Sequence, residues 1–476
     1  MTAIQVLSET RVTAASRSIS RRTEMRRRVV FSLLALGHAL ICRLIHEKVL
    51  TDSGVFEYMG LRWMSADIVQ ELLFLGLAVA PAFFIPMRLT RTSDLLLIVI
   101  YGAVYVPATA LFPNIYTGDP GAPFLLTVLS MAGLYIATVM SRLGAQARGV
   151  QLGLNDNRYD LMLMSAAIMV VASYVAFVPV QVLTLDFTRL YEFRASFGDQ
   201  MAKMSPILLY VFVNSALALC PMMIARGLSR KNYMMVGLAV FLAAYTFLVT
   251  SYRSLLFIAL FVAALTFLVR TRIPPAISIF GFFIGIAIAV VGLDAIAGGE
   301  VPVNTFTLHY RLFGNSATIT AAYLDLFSHF PKFYYSQSFL SPFIRPPTTI
   351  PYPLMVGQEI SSVENVWANG NLVADAYANL GYFGVILAYA ALGLALMLIN
   401  ASSAAKDLRV AALSLIGPGF YLTNAGLQSA VLSGGLGVTV LLIVLYPKSP
   451  APTVRLRAQA ETEAEAGAAS APLTEG

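Results

Sequence analysis

Apolar stretches recur along almost the whole chain, separated by short polar gaps. They lie near 29–45, 68–87, 94–113, 121–141, 160–183, 205–225, 232–250, 254–269, 274–294, 371–400, 410–427 and 431–447. A helix needs about 20 apolar residues to cross a hydrocarbon core of ~30 Å, so this pattern predicts about twelve transmembrane helices. The stretches at 254–269 and 431–447 are short. One gap stands apart. Residues 298–370 form a polar island containing two of the four histidines and one of the two tryptophans.

Periodicity within the island predicts a helix from Phe306 to His329, opened by Val303-Asn304-Thr305 as a cap. At 100° per residue, Arg311, Asn315, Thr318, Asp325 and His329 fall within about 40° of one line. Leu312, Ile319, Tyr323 and Phe330 line up on another face. The pattern reads as an amphipathic helix lying at the membrane surface. Asp325 and His329 stand one turn apart, where a carboxylate can orient an imidazole and raise its basicity, as a general base requires. An ordinary solvated i,i+4 pair has the same spacing. His309 falls on a different face and is a separate candidate.

Residues 341–353 contain five prolines and read as a rigid extended loop carrying Arg345. Beyond Trp367, apolar continuity from Asn371 to Ile399 gives a helix of about 43 Å, longer than a bilayer core. Asn371, Asp375 and Asn379 recur every four residues along it. An aspartate facing lipid is costly, so this stripe is expected to face the protein interior.

Composition agrees with the pattern: 58% of residues are hydrophobic and 12% charged. The net charge of +7 is explained by placement. With the N-terminus inside, the first tail holds Arg11, Arg17, Arg21, Arg22, Arg26, Arg27 and Arg28, and most other basic residues fall in alternate loops on the same side. This positive-inside bias predicts cytoplasmic termini and an extracytoplasmic island. Basic tails suit anionic lipid headgroups, and no nucleic-acid partner is needed. The first span reads as a signal anchor. Cys42 and Cys220 sit within apolar spans and predict neither a disulfide nor a metal site. The expected fold is an all-α polytopic membrane protein with one large extracytoplasmic loop containing short amphipathic helices. The divisions are a basic cytoplasmic tail 1–28, nine spans over 29–297, the loop 298–370, three spans over 371–447, and a disordered cytoplasmic tail 448–476.

Basic residues on the outer side run against the orientation bias. They are Arg43, Lys48, Arg62, Arg189, Arg194, Lys203, Arg253, Arg311, Lys332 and Arg345. Arginine there suits a phosphate or pyrophosphate, whose oxygens its planar fork binds in pairs. Arg253 is the sharpest, in a tight Thr250-Ser251-Tyr252-Arg253-Ser254 turn, although a snorkelling lipid anchor explains it equally well. There is no P-loop and no tight acidic cluster for Mg²⁺, so neither a metal nor another cofactor is expected.

The run from Trp367 through Asn371, Asp375, Asn379 and Gly381 to Gly384 resembles the segment ending the large outer loop of Wzy-type O-antigen and capsule repeat-unit polymerases. Thr250 to Ser254 is similar to their Ser-x-Arg-Ser turn. Arg311-Leu-Phe-Gly314 with Tyr323, Asp325 and His329 is similar to the start of their large loop. The resemblance implies an inverting, metal-independent glycosyltransferase of the bacterial plasma membrane. Its substrate would be polyprenyl-pyrophosphate-linked oligosaccharide, with a flippase and chain-length regulators as partners. It assigns Arg253 and Arg311, and more weakly Arg345, to the pyrophosphate. His329 supported by Asp325 becomes the first choice of base, with Asp375 next. His309, Asn371, Asn379 and Trp367 become substrate contacts.

The related O-antigen ligases perform the same chemistry on another acceptor. Two other readings remain. The first outer loop, Thr51-Asp52-Ser-Gly-Val-Phe-Glu57, resembles the acidic loop of GT-C polyprenyl-phosphate-sugar transferases. A flippase or transporter also commonly has about twelve spans, but it calls for charged or interrupted helices near the bilayer midplane. The sequence offers Asp186 and Asp294, both at span ends.

Overall fold

The computed structural model describes residues 3–143, 152–177, 206–250, 253–299, 301–361 and 366–448. Among the described residues all regular structure is helical. This is the expected response of long Leu-, Ala-, Met- and Phe-rich runs, because a helix satisfies its own backbone hydrogen bonds where water is absent. In chain order the helices are α1 (Ala3–Ile45), α2 (Ile68–Phe83), α3 (Asp94–Ile115), α4 (Gly121–Leu143), α5 (Asp156–Phe177), α6 (Tyr210–Arg230) and α7 (Tyr233–Thr250). They continue as α8 (Arg253–Leu268), α9 (Pro275–Ala297), α10 (Asn315–His329), α11 (Tyr352–Ile360), α12 (Leu372–Ser403), α13 (Leu408–Tyr421), α14 (Leu427–Leu432) and α15 (Leu436–Leu445).

Among the described residues, eight helices are long and apolar enough to cross a membrane: Thr23–Thr51 of α1 with its extension, α3, α4, α5, α6, α7, α9 and α12. The chain is a helical protein of membrane-embedded character. Four of the twelve expected spans appear as shorter apolar helices, Ile68–Phe83, Ser254–Leu268, Leu408–Tyr421 and Leu436–Leu445. The C-terminal tail from 449 lies outside the described residues.

Small residues let the longest contact form. α12 packs along α4, with Gly133 against the Tyr389 ring and Gly393 against Ala137 and Met140. A Cβ at Gly133 would stand 2.4 Å from Tyr389 Cδ2, so only glycine allows this approach. At the end of the bundle that holds the α3 N-terminus, polar groups lock three helices together. Asn400 on α12 accepts from the Ser93 backbone (3.0 Å) and donates to Ser93 Oγ (2.8 Å) and the Ser141 carbonyl (2.8 Å).

Several basic residues at this end meet helix-terminal carbonyls that have no intrahelical partner. Arg28 donates to the carbonyls of Ala82 (2.9 Å) and Ile85 (2.7 Å), and Arg270 to that of Leu228 (2.9 Å). Arg226 is buried between the rings of Tyr159 and Tyr446 and pairs with Asp156 and Asp160.

The polar island departs most from expectation. The predicted surface helix is instead packed inside the bundle, with Asn315 to Leu324 all buried. It lies against α3, α11 and α12. Small side chains allow this, and its hydroxyls are satisfied locally: Thr318 donates to the Gly314 carbonyl (3.2 Å) and Thr320 to that of Ser316 (2.6 Å). The stretch Thr305–Gly314 is π-helical and runs directly into α10. Its wider turns insert additional residues, so Arg311 loses the alignment with Asp325 and His329 that an unbroken α-helix would give. Asp294 anchors the start, accepting from the Asn304 backbone (2.9 Å), Asn304 Nδ2 (2.8 Å) and the Thr305 backbone (2.7 Å).

The Asn400 latch is testable. Asn400→Leu leaves the Ser93 amide and Ser141 carbonyl buried without their partner, a loss of about 2–3 kcal/mol. A lower melting temperature in detergent is expected, and an unchanged melt would remove the latch from the stability account.

Candidate functional site

A cavity of about 480 Å³ opens between the first inter-helix segment, the end of α3, α10 and the end of α11. Its size is that of a ligand pocket. Three connections build it. The Asn114 amide donates to the Met64 carbonyl (2.8 Å) and to Glu71 (3.1 Å), clamping the 62–64 segment to the top of α3. Arg43 pairs with Glu71 (2.7 Å) and lies 5.6 Å from the ring centroid of Trp63, fixing that ring as a wall. Ser361 donates to the Tyr58 carbonyl (3.0 Å), and Gly60, with φ of 73°, passes so close to Ile360 that a Cβ would meet its carbonyl at 2.6 Å.

The lining is mixed. His46, Glu57, Arg62, Trp63, Thr318, Asp325 and Glu359 all contribute. Arg62 is already engaged, donating to the Ile115 carbonyl (3.1 Å) and Thr117 Oγ1 (3.3 Å). His46 opens a π-helical extension of α1, His46–Thr51, and is 1% exposed. Neither of its ring nitrogens makes a hydrogen bond of good geometry. The ring meets the Arg62 backbone in a weak polar contact. Asp325 is half-buried, and its charge adds to burial in pushing the Tyr116 hydroxyl up to about 12.

Of the site residues that the polymerase resemblance implies, Asp325 lines this cavity; Arg62 and Glu57, singled out from the outer basic residues and the acidic first loop, line it as well. His329 is exposed at the end of α10, and no hydrogen bond or ion pair joins it to Asp325 among the described residues. The Arg311 guanidinium lies over the Phe306 ring (5.3 Å), which stacks on Phe56. Arg345 is exposed in the proline-rich turns. Trp367 is 56% exposed. The Arg253 side chain lies outside the described residues, as do Asp186, Arg189, Arg194 and Lys203.

His309 is buried against Phe313, with neither ring nitrogen hydrogen-bonded. Burial, reinforced by the neighbouring His38 and His46, pushes its imidazole down to about 3. It is therefore a neutral interior side chain at ordinary pH.

The Asn371–Asp375–Asn379 stripe does face inward, as the cost of a lipid-facing aspartate requires; its members are 1%, 5% and 0% exposed. Asn371 caps α12 by accepting from the Val373 and Ala374 backbones (3.0 Å each) and donates to Ser316 Oγ (2.7 Å) and Thr320 Oγ1 (2.8 Å) of α10. Asp375 accepts from the Tyr352 hydroxyl (2.7 Å) and Gln428 Nε2 (3.0 Å). Asn379 accepts from the Tyr335 backbone (2.7 Å).

Tyr334 and Tyr335 both adopt left-handed φ, 51° and 58°, a strain held by these contacts. Lys332 is tucked beneath, 3.9 Å from the Tyr377 ring centroid and donating to the Phe327 carbonyl. Burial lowers its ammonium to about 8. The stripe thus works as a clasp on the island.

No protein-family model, curated protein or solved structure matches the chain. The geometry therefore carries the functional argument. The sequence pattern missed His46 and Trp63 as site residues. Arg43 and Arg62 did stand out as basic residues against the orientation bias. Among the described residues no group of three or more His, Cys, Asp or Glu is arranged to hold a metal ion.

His309 supplies a pH test. Its folded value lies below the unfolded ~6.5, so between about 6.5 and 3 the unfolded chain binds more protons. Its contribution to stability is complete above that window and is lost as pH falls through it. His309→Phe is expected to reduce the acid dependence of the melting temperature there; an identical pH profile would exclude His309 as a contributor.

Proposed function

We propose that the chain is a membrane glycosyltransferase that extends polyprenyl-pyrophosphate-linked oligosaccharide, the reaction of Wzy-type repeat-unit polymerases. The observation that carries this reading is Asp325, a member of the motif resembling that family, standing on a cavity of ligand size beside Trp63. The resemblance supplies the donor; the cavity supplies a place for the acceptor. The plasma membrane, with the cavity end outside and both termini in the cytoplasm, is the setting the basic-residue bias supports.

In this reading Asp325 is the base. A hydroxyl oxygen of the acceptor sugar attacks the anomeric carbon of the donor glycan, and Asp325 takes the hydroxyl proton. The bond from that carbon to the pyrophosphate oxygen breaks with inversion, and its electron pair leaves with the polyprenyl pyrophosphate. Charge developing on the leaving group needs preorganised cations, the role the resemblance gives to Arg253, Arg311 and Arg345. His329 is set aside as base because it is exposed and does not line the cavity. Asp375 is set aside because its carboxylate is held by Tyr352 and Gln428 in the clasp.

A second reading, a GT-C-type transfer from a polyprenyl-phosphate sugar, has one observation in its favour. Glu57 of the first inter-helix segment lines the same cavity, while Asp52 does not and pairs with Lys48 (3.5 Å).

Purified protein given lipid-linked oligosaccharide in detergent is expected to elongate it with no membrane to cross, which transport alone cannot do. Asp325→Asn should lower kcat at least 100-fold, the usual scale of general-base loss. Loss in Glu57→Gln with Asp325→Asn unaffected would favour the second reading. In cells, Arg253→Ala should shorten the surface glycan, and unchanged long chains would remove Arg253 from the mechanism.

A further inference from the structure

The charge balance of the cavity says what it accepts. Three carboxylates, Glu57, Asp325 and Glu359, line it against one guanidinium. Among the described residues none of the three carboxylates is in an ion pair, while Arg62 already spends donors on Ile115 and Thr117. An anion brought here would meet net repulsion, strongest at the half-buried Asp325 and screened by solvent at the exposed Glu57 and Glu359. A pyrophosphate is therefore a poor occupant.

A polyol meets different chemistry. Carboxylates accept from its hydroxyls in charge-assisted hydrogen bonds. His46 is an independent sign of a ligand. It lines the cavity, is almost wholly buried, and neither ring nitrogen makes a well-formed hydrogen bond, the Arg62 backbone offering only a weak polar contact. Leaving such a group poorly paired is costly, and a turn of the ring toward the cavity would let a hydroxyl there pair with it whether the nitrogen donates or accepts. Trp63, braced by Arg43 and Glu71, supplies a rigid apolar wall for the carbon face of a sugar ring.

We infer that the cavity bounded by His46, Trp63, Asp325 and Glu359 is a carbohydrate subsite selective for neutral or amine-bearing sugars and closed to acidic ones. This deepens the transferase reading and rests on it for the identity of the ligand as the acceptor end of a lipid-linked glycan. The pyrophosphate of either substrate then lies outside the cavity. The repeat unit entering as acceptor presents an uncharged or amino sugar to Asp325, whatever acidic sugars it carries elsewhere.

The chain has two tryptophans, and Trp367 is exposed and does not line the cavity, so Trp367→Phe leaves Trp63 as the sole indole reporter of this cavity. The detergent-purified full chain with that change is titrated with four probes: N-acetylglucosamine tetramer, glucosamine tetramer, galacturonic acid tetramer and inorganic pyrophosphate. A saturable change in Trp63 emission is expected with the first or second, and binding at least tenfold weaker with the last two. His46→Phe should weaken the preferred probe about tenfold.

Glu359 is exposed, so its substitution leaves the packed interior untouched. Glu359→Gln should weaken both uncharged and amine-bearing probes, the glucosamine tetramer severalfold more than the N-acetylglucosamine tetramer. Tighter binding of pyrophosphate or galacturonate overturns the inference, as does no saturable response to either uncharged or amine-bearing probe. Elongation of lipid-linked oligosaccharide at an undiminished rate in a folded Trp63→Ala variant would overturn the subsite while leaving the transferase reading intact. Sugar binding in a protein that transfers nothing would support the subsite and remove the reading.

Discussion

Asp375 is a buried carboxylate near the start of a long apolar helix, and the arrangement of the polar island follows from the need to satisfy it. It takes one hydrogen bond from Tyr352 and one from Gln428, so the start of α11 and the α14 region must both come to it. Gly426 makes this possible, since a Cβ there would fall 2.1 Å from the carboxylate. One turn earlier Asn371 gathers Ser316 and Thr320, and one turn later Asn379 holds Tyr335. A partly satisfied network of this kind would cost more than an apolar core, so completion fixes one arrangement. With α10 and α11 held this way, Asp325 and Glu359 arrive on one side of the cavity.

The opposite side is set by a separate network. Glu71 takes Arg43 and Asn114, and those two hold Trp63 and the Met64 carbonyl. The cavity therefore lies between two rigid polar assemblies from distant parts of the chain. π-helical turns adjust the fit: one begins at His46, and another, Thr305–Gly314, precedes α10. Such turns change which face a side chain presents without breaking the helix. In the proposed function this separates two electrostatic tasks. Carboxylates and His46 receive sugar hydroxyls inside, while cations that would meet the leaving pyrophosphate belong elsewhere.

The hydropathy pattern by itself determined the helical, membrane-embedded class, because apolar runs of bilayer length have few other solutions. It determined the inward direction of Asn371, Asp375 and Asn379, because four-residue spacing and the cost of a lipid-facing charge leave one choice. It also brought Asp325 forward as a site residue. What it could not decide was depth. A helix with polar residues on one line reads as a surface helix, yet α10 is buried: on that line Asn315 donates to Asn424 and Thr318 to the Gly314 carbonyl, while on the opposite face Ser316 and Thr320 accept from Asn371 of α12, partners invisible to local periodicity. Nor could it see that His329, in register with Asp325, would end exposed, or that residues near 46, 63, 325 and 359 would share one cavity. Those are contacts across hundreds of residues, set by helix packing and long-range hydrogen bonds. Periodicity records only which face of an element is polar; tertiary structure decides what that face meets.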